Sequence, residues 1–266
     1  MKEPVRILSD LHLGHKISRI THVEALRPLV AGAGTVIFNG DTWQELALAF
    51  LTRSTAMRDE LLTLCFEENA TAVFLPGNHD PGWPGPGWIA LAGGKIIITH
   101  GDSLLHDGSP WKREILANPD KVASLWATQP AASHDPTARH SVAREVARGL
   151  CSVEYPTGRH FFQRAWDALQ PPRRALKIIH AWFTQAAAGG SFCESYFPAA
   201  EFLIIGHFHY AGCWETHTRC IINTGSFTSP GRAYWVEWNE GLLSWGKIME
   251  SPHACTMAPA LDVWRV

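Results

Sequence analysis

The stretch Val5-Arg6-Ile7-Leu8-Ser9-Asp10-Leu11-His12 opens with an apolar, β-branched run. It stops at an aspartate, with a histidine two residues further on. A run that is apolar at successive positions, rather than alternating, suits a strand covered on both faces. The arrangement recurs. Residues 35–39 run into Gly40-Asp41, and residues 71–75 into Pro76-Gly77-Asn78-His79-Asp80. Residues 95–99 run into His100-Gly101-Asp102, and residues 202–205 into Gly206-His207-Phe208-His209. Residues 21–31 and 45–69, between the first three runs, read as helices. Strand–helix–strand alternation implies a largely parallel sheet with right-handed crossovers. Open α/β sheets bind ligands at the carboxyl ends of their strands, so five polar strand ends predict one convergent site.

Beyond residue 205 the pattern changes. Residues 220–223, 233–238 and 243–247 are short strand candidates separated by Gly, Pro and Asn239-Glu240-Gly241, which suggests an antiparallel meander completing a second sheet. The tail from Ser251, rich in Pro and Ala, shows no clear period. Residues 104–200 carry few strand signals. Residues 112–117, 137–150, 158–169 and 173–188 look helical, the second of these preceded by Asp135-Pro136, a reasonable helix start. The expected organisation is a core domain from residues 1–103 and 201–266, with 104–200 as a helical insertion or cap.

Asp, His and Asn together make a mixed oxygen and nitrogen donor set. It suits Mn, Fe, Zn or Co better than Mg or Ca, which prefer oxygen alone. Each motif alone is weak, and a single His-x-His is expected by chance. The argument comes from all five lying at strand ends. A bridging carboxylate holds two such ions roughly 3.5–4 Å apart, the spacing of two-metal phosphoryl chemistry. Water between them loses a proton near neutral pH, and the ions neutralise charge on the phosphate oxygens.

As an ordered set, the motifs resemble the calcineurin-like metallophosphoesterase superfamily over residues 5–102 and 202–227. The resemblance implies an α/β protein, a four-layer αββα sandwich of two mixed sheets with a helical insertion. It implies hydrolysis of a phosphate ester or pyrophosphate by a metal-bridging hydroxide. It places one ion on Asp10, His12, Asp41 and His209 and the other on Asp41, Asn78, His100 and His207, with Asp41 bridging. The implied cofactors are two divalent ions, manganese first, with iron or zinc as alternatives. His79 would stabilise the phosphate or protonate the leaving oxygen, and Asp80 would orient His79. His100-Gly101-Asp102-Ser103-Leu104-Leu105-His106-Asp107, followed by a long helical stretch, resembles the branch containing UDP-2,3-diacylglucosamine pyrophosphatase of the lipid A pathway. Asn223-Thr224-Gly225-Ser226-Phe227 fits the same pattern. Two positions depart from it. Many members carry Arg where this chain has His79, and an acidic residue is common where it has Gln44.

His106, Asp107, Arg139 and Arg144 are the weaker substrate-binding candidates. Arg139, Arg144 and Arg148 recur at helical spacing, as either a solvated charged face or a basic wall for a diphosphate or nucleotide. Phe161, Phe162, Trp166, Trp182 and Phe183 read as core or as an acyl-binding groove.

A net charge of -2 with 18% charged residues gives no global polybasic signal, so nucleic acid is not an expected partner. Six cysteines without a Cys-x-x-Cys pair argue against a zinc finger or redox motif. The first residues lack the apolar stretch of a secretory signal, and no apolar run approaches the roughly 18–20 residues of a membrane span. The expectation is a cytoplasmic protein, with peripheral contact to the inner membrane through the cap. Its expected partner is a phosphorylated small-molecule or lipid-linked substrate. Two alternatives stand beside it: a generic phosphodiesterase or phosphatase on a soluble or protein substrate, and a non-catalytic metal-binding scaffold.

Overall fold

A computed structural model describes residues 1–106, 108–150, 172–216, 218–251 and 253–266. In chain order the strands are β1 (Val5–Leu8), β2 (Thr35–Asn39), β3 (Thr71–Leu75), β4 (Trp88–Leu91), β5 (Ile96–Thr99) and β6 (Phe202–Ile205). They continue as β7 (Gly212–Glu215), β8 (Cys220–Asn223), β9 (Tyr234–Asn239), β10 (Leu242–Glu250) and β11 (Cys255–Arg265). The α-helices are α1 (Arg27–Val30), α2 (Leu48–Glu67), α3 (Arg113–Ala117), α4 (Pro119–Ala127), α5 (Pro136–Leu150) and α6 (Pro172–Tyr196).

Two mixed sheets form. One has the order β11-β10-β9-β1-β2-β3, the other β4-β5-β6-β8-β7. β1, β2 and β3 pair in parallel, and so do β5, β6 and β8. The five polar strand ends are therefore divided between two sheets and meet where these face each other.

The continuous apolar runs have a simple cause. Val5, Ile7 and Ile37 point between the sheets, against Ile96, Ile98, Ile204 and Ile222. Their neighbours Leu8, Val36 and Phe38 point outward onto Met57, Leu61 and Leu64 of α2. On the other side Ile97, Leu203 and Ile221 meet Ala181, Phe192 and Cys193 of α6. Both faces of each sheet are thus covered, giving four layers.

Helix α6 falls inside the stretch expected as cap, and its apolar face packs on the second sheet as that sheet's outer layer. A separate cluster of Ile115, Val122, Trp126, Val142 and Val146 ties α3, α4 and α5 together as the cap proper. The helix expected at 158–169, with Phe161, Phe162 and Trp166, lies outside the described residues. The tail also differs from its reading. It is the eleven-residue edge strand β11, antiparallel to β10. Among the described residues no helix is long and apolar enough to cross a membrane.

Candidate metal centre

The strand ends turn sharply. Asp10, His12, Asp41, His207 and His209 have φ of 53°, 47°, 50°, 63° and 54°. They are five of the eight described non-glycine residues in the left-handed region, which L side chains avoid. Strain of this kind persists only where surrounding structure enforces it, and it gathers at functional sites. Glycines make room. A Cβ on Gly77 would overlap the Asp41 carboxylate, and one on Gly206 would overlap that of Asp10.

These turns bring the side chains together. Asp10, His12, Asp41 and His209 each offer an atom within 4.8 Å of the others, and so do Asp41, His100 and His207. Asp41 belongs to both groups. His209 Nε2 lies 3.1 Å from Asp10 Oδ1, and His100 Nε2 lies 3.5 Å from Asp41 Oδ2. His207 turns its Nδ1 to the cluster, 3.3 Å from His100 Nε2. Asn78 Oδ1 is buried without any hydrogen-bond partner, and an unpaired polar atom at such depth calls for an occupant.

Outer contacts aim the rings. The Nδ1 of His100 donates to the Asn39 carbonyl at 3.0 Å, and the Nδ1 of His209 lies 3.1 Å from Thr228 Oγ1. Both leave Nε2 toward the centre, as metal-ligating histidines require. The Asp10 carboxylate accepts from the His207 N–H at 3.0 Å, and Asp41 Oδ1 accepts from the His79 N–H at 2.8 Å.

The charges fit cations. Burial would raise Asp41, but His100, His79 and His12 outweigh it and hold the carboxyl well below its ordinary value. Asp10 is lowered likewise, burial being overcome by His100 and His209. Burial lowers His12 to about 4 and His207 to about 3, so both rings are neutral, the form that ligates. His100 runs the other way. Asp41 and Asp10 overcome burial and hold its proton well above the usual imidazole range. Two buried carboxylates are recruiting positive charge, which divalent ions would supply. The donor set therefore fits two such ions, with Asp41 shared.

His79 stands beside the centre, its Nε2 3.9 Å from Asp41 Oδ2. Its orienting partner is Gln44, not Asp80. Gln44 Oε1 lies 2.8 Å from His79 Nδ1, and Gln44 Nε2 lies 2.9 Å from His12 Nδ1. Asp80 instead accepts the backbone N–H groups of Asp41, Thr42 and Gly77 at 2.8–2.9 Å, bracing two strand-end loops. Burial and the neighbouring Asp41 push its carboxyl up to about 7.

Arg139 donates to the Ser103 carbonyl, Arg144 to that of Gly85 and Arg148 to that of Pro81. These bonds pin α5 to loops of the sandwich, with Arg139 and Arg144 half-buried and Arg148 exposed. Arg144 also bears electrostatically on Asp102. His106 is exposed, stacks on Trp126 at 4.7 Å and lines a cavity with Leu104, Leu105 and Lys177, and Asp107 lies outside the described residues. Sequence reasoning missed the bridging role of Gln44. It also missed the turn at Trp111, whose ring lies 5.0 Å from that of His207, and the buried Lys112 beside it.

No family model matches the chain, and no curated protein matches it. Among solved structures it is similar to a dimetal phosphatase from Danio rerio, 11% identical over 96% of this chain and 99% of that one, TM-score 0.46. It is also similar to Vps29 from Entamoeba histolytica complexed with Zn+2, 17% identical over 97% and 99%, TM-score 0.43. A third is a conserved uncharacterised protein from Streptococcus pneumoniae described as a predicted phosphoesterase, 15% identical over 100% and 99%, TM-score 0.40. Likenesses this distant assign no activity, so the functional reading rests on the side chains of this chain.

Proposed function

We propose that the chain is a binuclear metal-dependent phosphoesterase. One observation carries this reading: a single buried carboxylate, Asp41, belongs to two adjoining ligand groups. One group is Asp10, His12, Asp41 and His209. The other is Asp41, His100 and His207, with the orphaned Asn78 oxygen as a fourth donor. When bound, a metal pair of this kind supplies a hydroxide nucleophile near neutral pH and neutralises phosphoryl charge. The protein does the rest. His79, whose Nδ1–H donates to Gln44 Oε1, presents its Nε2 edge to the site, 3.9 Å from Asp41 Oδ2. The tight loops at Gly77 and Gly206 keep the donors fixed against the backbone.

The proposed metal is manganese first, then iron or zinc. The proposed substrate is a phosphate ester or pyrophosphate, with UDP-2,3-diacylglucosamine or a similar nucleotide-linked lipid as the favoured example. A cavity of about 310 Å³ supports the lipid-linked example, since Leu104, Leu105, Pro110 and Ala181 line it with Lys177 and His180. A generic phosphodiesterase is the second reading. The proposed setting is the cytoplasmic side of the inner membrane, where such a lipid would be met.

The test is anomalous scattering from crystals grown with Mn, together with Mn-dependent hydrolysis of bis-p-nitrophenyl phosphate. Two ions on the named residues and metal-dependent turnover are expected. A single ion, or ions held elsewhere, overturns the binuclear reading. Turnover of the aryl diester without cleavage of the nucleotide-linked lipid leaves the generic phosphodiesterase.

A further inference from the structure

Cys213 and Cys220 stand with their sulfurs 3.0 Å apart, and both are free thiols. Their spacing forms no recognisable motif, because six residues separate them. The hairpin brings them together. β7 is antiparallel to β8, and the turn between them is closed by the Thr216 N–H donating to the Arg219 carbonyl at 2.8 Å. Cys213 pairs with Ile222, and Cys220 pairs with Glu215. The two cysteines are therefore diagonal neighbours across the ladder. Strand alternation puts both side chains on one face, toward the core between the sheets.

The two thiols differ in access. Cys220 is buried, whereas Cys213 is half-buried on β7, the edge strand of the second sheet. They also differ in acidity. The hydrogen bond with Cys220 lowers the Cys213 thiol, while that same contact and burial raise Cys220. A sulfur nucleophile needs thiolate character and access, and Cys213 has both. Other described cysteines lie in different layers. Cys65 and Cys255 pack on the outer face of the first sheet, and Cys193 packs on the outer face of the second.

We propose that Cys213 and Cys220 form an oxidisable dithiol, a modification site that a small-molecule disulfide such as glutathione disulfide converts to an intramolecular disulfide. The Cys213 thiolate attacks one sulfur of the oxidant, forming a mixed disulfide and releasing one glutathione thiolate. Cys220 then gives its proton to solvent and attacks the Cys213 sulfur, displacing the second glutathione. Two protein thiols are oxidised, and one oxidant disulfide is reduced to two thiols. The protein contributes proximity, since the sheet already holds the sulfurs in contact. The bond would fasten the edge strand β7 to β8. This inference stands apart from the phosphoesterase reading, because neither cysteine belongs to the ligand groups.

The test equilibrates the purified full chain in buffers of oxidised and reduced glutathione, stops exchange by alkylation, and reads intact mass and tryptic peptides. Trypsin cuts after Arg219, between the two cysteines, so the bond would join the peptides on either side. Wild type should lose two hydrogens and yield that joined pair. Cys220→Ala should instead keep a glutathione on Cys213, while Cys213→Ala should take up little at the buried Cys220. The folded wild type should favour the disulfide over the same chain in guanidinium chloride by about tenfold or more. That comparison uses wild type alone, so it stands even where a variant fails to fold. An unchanged wild-type mass, a bond to a different cysteine, or no preference of the folded chain over the unfolded one overturns the proposal.

Discussion

Gln44 lies between two imidazoles with different duties, 2.9 Å from His12 and 2.8 Å from His79. His12 belongs to the ligand group, whereas His79 has no place in either group. Separate outcomes should follow for metal binding and turnover. His79→Ala should keep both ions and lose about 10²-fold or more in kcat, since the side chain beside the phosphoryl site is removed without touching a ligand. Gln44→Leu removes the orienting amide while keeping its bulk, and should cost about tenfold or more in kcat or metal affinity. Elemental analysis beside kinetics decides. Metal content falling in step with activity in His79→Ala would make His79 a ligand or a structural residue. The ligands were legible in the sequence because each follows an apolar strand. Gln44 was not, since its contacts join loops from different strands and leave no periodic signal.

Elements show a similar division. Strands β1, β2, β5 and β6 announce themselves because both faces are buried, so their runs are mostly apolar. The edge strand β11 does not. Most of β11 is exposed, and Pro259 interrupts it near the register shift between Gly246 and Ile248. Proline lacks an N–H and survives in sheets at edges and irregularities, so the tail looks structureless in sequence. Helix spacing was also ambiguous in α5. Its arginines cap carbonyls of the sandwich loops, a use that spacing alone does not separate from solvation. Arg139 carries the most contacts, reaching the Ser103 carbonyl at 2.7 Å and lying over the Trp126 and Tyr196 rings. Arg139→Ala should cost about 1–3 kcal/mol and lower the melting temperature by a few degrees, with metal content unchanged. An unchanged melting curve would show that the apolar cluster alone seats the cap.

At the scale of the whole molecule, the metal centre joins the two sheets. Asp10, His12 and Asp41 follow strands of the first sheet, whereas His100, His207 and His209 follow strands of the second. Ions held between them bind the folded chain only, so they should stabilise the entire sandwich by mass action. Chelation with EDTA should therefore lower the melting temperature at pH 7. Acid should then act on what remains. In the folded chain, burial lowers His12 to about 4, and His207, His15 and His140 to about 3, with His79 also well below 6.5. Unfolded, these rings titrate near 6.5. Between pH 6.5 and about 4 the unfolded chain thus binds protons that the folded chain refuses, so stability falls as pH falls. His100 does not oppose this, because it stays protonated in both states below 6.5, whereas Asp80, raised to about 7, and Asp102, also raised, offset part of the loss by keeping protons that their unfolded carboxyls release. Asp10 and Asp41, whose folded values are depressed, extend the loss to lower pH as they are protonated. The metal-free protein should melt progressively lower from pH 7 to pH 5, and added Mn at pH 7 should restore the melting temperature that EDTA removed. Calorimetric scans at both pH values, with and without Mn, decide this. A melting temperature indifferent to both EDTA and pH would mean that the imidazole cluster is not coupled to folding and that no ions bridge the sheets.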